Sequence, residues 1–327
     1  MKSDLQKLIV PSLPLTALIY VVSFVVWMIF YIIYKYPYPM PGKIGSIAEG
    51  FLSSQSLAAY LLSYAIVVVN SMVIAQMNNR FSFIRTRTFL PTFVYLLVSV
   101  CLLPLHGNYV ANLAAFFVLL AIFMSLVMYK MPNGVEQAFL SFFLLALSTF
   151  LVPDYAYLIV LFWMGYFFLK CFSPRVFFAS VFGFVTPWIL YLSVIFFIFN
   201  EQGFVSDIPA FFYRYSVFHY ENIPAIIYVL LMILIVAISL VQMIAKSRQD
   251  SIQARNELNF LKLLFFGVAM LFFLRFSNYI SYLPLIAMFF SVFTAYTFTL
   301  IRNLFNFIVF IALVALSFLF AFYIIII

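Results

Sequence analysis

Charge is what this sequence has least of. Asp, Glu, Lys and Arg make up 8% of its 327 residues, against about 25% in a soluble globular domain. So little polar surface excludes the soluble class. Cysteine and histidine stop at two each. With no C-x-x-C and no H-x-x-x-H, neither a disulfide framework nor a metal site is expected. Cys101 and Cys171 fall at opposite ends of apolar segments and cannot pair with each other. A glycine-rich phosphate loop and Ser-His-Asp spacing are also missing, so no cofactor is expected. No self-similarity recurs at a period of roughly 20–50 residues, which excludes a solenoid.

What the chain has instead is 67% hydrophobic residues, 45 of the 327 being phenylalanine. Apolar runs recur from one end to the other, and the gaps between them leave no room for a soluble domain. Residues 1–327 therefore read as a single polytopic transmembrane domain. Most runs reach the roughly 17–25 residues that a helix needs to cross a bilayer. Runs such as "AIIYVLLMILIVAISLVQMIA" at 225–245 do not alternate polar with apolar, which excludes a barrel and leaves helices. The sequence predicts an all-α integral membrane protein, a bundle of about 11 transmembrane helices at 12–34, 55–77, 88–104, 109–129, 135–152, 155–169, 176–199, 223–245, 259–274, 279–300 and 304–327. The first is expected to stay as an uncleaved anchor, since no small-residue cleavage site follows it.

Lysine and arginine set the orientation. With the N-terminus cytoplasmic, thirteen fall inside and only Lys35, Lys43, Arg214 and Arg275 fall outside. The net charge of +8 is then mostly this bias and an attraction to anionic lipid headgroups, not a nucleic-acid footprint. Residues 246–258, "KSRQDSIQARNEL", are expected to be a solvated inner linker. Span interiors hold few ionisable groups, which argues against an ion-coupled transporter.

The long outer stretches are 35–54 and 200–222. In the second, Phe211, Tyr215 and Phe218 form an apolar stripe, which predicts a short interfacial helix near 208–220 with Arg214 and Glu221 on its wet side. This is either an aromatic belt or the roof of a cavity open to lipid. Arg214 and Arg275 are candidate phosphate-binding groups, because a guanidinium fork suits phosphate; snorkelling to headgroups is the alternative for Arg275. Glu49 and Asp154 are the candidate catalytic carboxylates, although Asp154 follows Pro153 in what also reads as an ordinary turn. Asp207, His219 and Glu221 complete the outer-loop candidates.

Residues 136–192, from "EQAFLSFFLLALSTFLVPDYAY" to "FVTPWILYL", resemble the signature of a bacterial multi-pass inner-membrane family of unknown function. "RFSNYISYLPLIAMFFSVFTAY" at 275–296 is more distantly similar to the GT-C class of polyprenyl-phosphate-sugar glycosyltransferases, whose late "Y-x-x-P" span has its counterpart in Tyr279, Tyr282 and Pro284, spaced here as Y-x-x-Y-x-P. That class carries an acidic motif in its first outer loop, where this chain offers only Glu49. The resemblances imply a location in the bacterial inner membrane and a lipid-linked sugar phosphate as partner, handled at the outer, periplasmic face by a GT-C-like glycosyltransferase. Two alternatives stand beside it: a non-catalytic membrane subunit of an envelope or secretion assembly, and a lipid-linked-sugar transporter.

Overall fold

A computed structural model describes residues 13–33, 50–82, 84, 88–194, 223–246, 249–275, 278–300 and 304–326. Among them there is no strand. Eleven α-helices follow one another: α1 (Leu13–Ile33), α2 (Leu57–Phe81), α3 (Leu90–Cys101), α4 (Tyr109–Val127), α5 (Val135–Leu151), α6 (Leu158–Phe168), α7 (Pro174–Val194), α8 (Ile223–Lys246), α9 (Ile252–Leu274), α10 (Tyr279–Leu300) and α11 (Leu304–Ile326). Seven of them, α1, α2, α4, α7, α8, α9 and α10, are long and apolar enough to cross a membrane. α3 and α5 are shorter, and α6, preceded by a 3-10 turn at Pro153–Tyr157, has only 11 residues, about 16 Å of rise. The predicted interfacial helix near 208–220 lies outside the described residues.

Short polar side chains start several of these helices by accepting backbone N–H groups that have no partner within the helix. Ser56 accepts from Ala59 N, Asn108 from Ala111 N and Ser251 from Ala254 N, each at 3.1 Å. Gly107, at φ +73°, turns the chain just before the Asn108 cap, where a Cβ would run into the Ser54 carbonyl.

α10 is the hub. It packs against α3, α8 and α9, and 89% of its apolar window is buried. α5 packs between α4 and α7, and α6 lies on α9. α1 sits at the rim, with only 17% of its window buried. A ladder of polar contacts holds it to α2: Tyr20 Oη with Ser71 Oγ at 3.1 Å, Ser23 Oγ with Tyr64 Oη at 2.8 Å, and Trp27 Nε1 donating to Tyr60 O at 3.2 Å. Such bonds matter in an apolar setting because the lipid offers polar groups nothing in exchange.

Contacts between turns define two ends of the bundle. Lys130 N donates to Leu169 O (3.0 Å), Ser173 Oγ to Pro132 O (2.8 Å), and Asn256 Nδ2, at the start of α9, to Tyr129 Oη (3.5 Å), so the turns around 130, 170 and 250 share one end. The turns around 53–56, 102–108, 152–157 and 275–278 lie at the other. Of the described cations, Arg80, Lys130, Lys170, Arg175, Lys246 and Arg255 cluster at the first end, and Lys262 Nζ leans towards it to reach Asn259 Oδ1 at 3.3 Å. Arg275 stands alone at the second.

The solvated linker expected at 246–258 needs correction. α8 ends at Lys246, and α9 begins at Ile252 under its Ser251 cap. The stripe Ala254, Leu258, Leu261, Leu264, Phe265 is buried, and Glu257 falls on that same face, so it is carried inside.

Candidate functional site

Pro153 opens the 3-10 turn, and the tight turn carries Asp154 back over the bundle, leaving the carboxylate 5% exposed. Its Oδ2 accepts from Asn278 Nδ2 at 2.8 Å, and its Oδ1 lies 3.8 Å from Arg275 Nη1. Arg275 also donates from Nη2 to Tyr157 Oη at 2.7 Å, with its Cζ 5.5 Å from the Tyr157 ring centroid. Burial works against the guanidinium charge, but Asp154 first and Tyr157 next outweigh it, so this arginine holds its proton more firmly than a free one.

Beneath this pair lie two tyrosines. Tyr155 Oη donates to Ser281 O at 2.6 Å in the turn of α10 where Pro284 withholds an N–H from Ile280 O. The Tyr282 ring sits 6.4 Å from that of Tyr155, and its hydroxyl lies within electrostatic reach of Asp154.

The structure thus brings together two of the residues singled out from sequence, Asp154 and Arg275, as each other's partners. The anion that Arg275 requires is supplied first by this chain. Glu49, Asp207, Arg214, His219 and Glu221 lie outside the described residues. No protein-family model, curated protein or solved structure matches the chain. The site therefore rests on its own chemistry: a guanidinium 32% exposed at the bundle's cation-poor end, held by the Asp154 carboxylate and the Tyr157 hydroxyl. Such a fork suits an oxyanion. Among the described residues no three His, Cys, Asp or Glu side chains gather as metal ligands.

Two buried polar groups stand outside the site candidates drawn from the sequence. His106 stacks on Trp27, centroids 3.6 Å apart, and its Nε2 lies 2.9 Å from Val100 O. Glu257 is fully buried, with Oε1 accepting from Gln253 Nε2 at 2.8 Å and Oε2 without a partner. The helical spacing of Ala254, Leu258 and Leu261 around Glu257 was the available signal.

Proposed function

We propose that the chain is a multi-pass protein of the bacterial inner membrane, with its N-terminus in the cytosol, that binds a lipid-linked sugar phosphate at the outer face in the manner of a GT-C glycosyltransferase. Supporting this reading is Arg275: a cation at the end opposite the other described ones, one third exposed, its direction set by Asp154 and Tyr157. In this reading Asp154 positions Arg275 and is neither the base nor a metal ligand. Glu49 takes the acceptor's proton.

The test is thermal stability of the detergent-solubilised protein with a polyprenyl phosphate or the uncharged polyprenol. The phosphate is expected to stabilise the wild type, the polyprenol not, and Arg275→Ala to abolish the difference. Equal stabilisation by both lipids would end the proposal. In cells, Glu49→Gln and Arg275→Ala are expected to lose an envelope glycan product while the protein still inserts.

A non-catalytic envelope subunit is the second reading, favoured by the mutual satisfaction of Asp154 and Arg275. An Asp154→Arg, Arg275→Asp double variant separates the two. If the pair only latches two turns together, the swap restores stability and leaves cells normal. If the guanidinium meets phosphate, stability returns and lipid recognition does not.

A further inference from the structure

We propose that Glu257 is a proton-binding site: a carboxyl carried as the neutral acid inside the cation-rich end of the bundle and open to exchange with water on that side. The residue is 0% exposed, its Oε2 has no partner, and its Oε1 accepts only from the amide of Gln253. An ionised carboxylate with one neutral hydrogen bond is very costly in such a place, whereas binding a proton removes the charge.

The surroundings offer no other remedy. α6 and α10, which pack against α9, contain no charged residue at all. On α9 itself Arg255 and Lys262 are only partly buried, and Lys262 is bonded to Asn259. Asp250, in the turn before α9, accepts from Tyr296, and Tyr129, at the end of α4, accepts from Asn256. None of these groups bonds to Glu257. A metal ion would need several oxygens, and the described residues hold no such cluster. A proton needs one.

Gln253 marks the way in. It lies one turn nearer the helix start, it is exposed, and its amide touches the buried carboxyl. Water therefore reaches the site past Gln253. An acid in this position is one of the few titratable groups within the helices, the kind of residue that membrane proteins use to bind protons.

The test is infrared spectroscopy of the full-length protein in lipid at neutral pH. The wild type is expected to show the carbonyl band of a protonated carboxyl, shifting on transfer to heavy water, and Glu257→Gln is expected to lose it. Gln253→Leu is expected to slow the shift several-fold. Absence of the band in the wild type, or its survival in Glu257→Gln, would overturn the proposal. Glutamine closely mimics the neutral acid, so a Glu257→Gln protein that fails to fold while Glu257→Asp folds would also overturn it, by showing that the charge is required.

Discussion

The imidazole of His106 is held on four sides. Trp27 stacks on one face, Phe30 and Tyr60 present edges, and Val100 O accepts from the ring, so a proton on the second nitrogen would have no partner. Burial pushes this histidine down to about 3, and the backbone carbonyls of Val100 and Ser99 only partly oppose the shift. The sign follows from linkage. Between the ordinary histidine value of 6.5 and about 3 the unfolded chain binds a proton that the folded chain refuses, so stability falls as pH falls through that window. The slope approaches about 1.4 kcal/mol per pH unit. Unfolding in detergent at pH 7 and pH 5 is expected to show the wild type losing about 1–2 kcal/mol more than His106→Gln over that step. A slope equal in both proteins would assign the pH dependence elsewhere. What encloses His106 comes from α1 and α2, which local sequence does not reveal.

At the scale of elements, α5 and α7 pack with their backbones in close approach. Gly183 lets the backbone of α7 lie directly on the Phe139 carbonyl of α5. A small residue there permits close approach, the usual basis of helix association where lipid supplies no hydrophobic drive. Gly183→Ala places a methyl group against backbone, which cannot swing aside. A loss of about 1–3 kcal/mol is expected in denaturant titration. Gly165→Ala meets the Phe260 side chain instead, which can rotate, so its cost is expected to be the smaller of the two. Most helix positions were legible from apolar runs. The exceptions have physical reasons. α6 is shorter than its run because Pro153 starts a 3-10 turn, and α9 begins earlier than its run because the polar Gln253, Arg255 and Asn256 occupy one face while Ala254 and Leu258 occupy the other.

At the scale of the whole molecule, the separation of Arg275 from the other described cations predicts which end faces the cytosol. Single cysteines at Asn133 and Tyr157, both exposed and at opposite ends, are suited to a membrane-impermeant maleimide in intact cells. With both native cysteines removed, the Tyr157→Cys protein is expected to label and the Asn133→Cys protein to stay protected until the membrane is opened. The reverse pattern would invert the orientation and remove Arg275 from the outer face.

Composition and hydropathy alone determined the helical, membrane-like class, because apolar length and the need to satisfy backbone groups are properties of each segment by itself. Partners were decided only by tertiary structure. Arg275 finds Asp154 from a distant turn, His106 finds Trp27 of α1, and Glu257 is enclosed by helices that offer it no cation. A helical period states which face a residue shares, but not which helix comes to cover that face, and the state of a buried charge depends on the second.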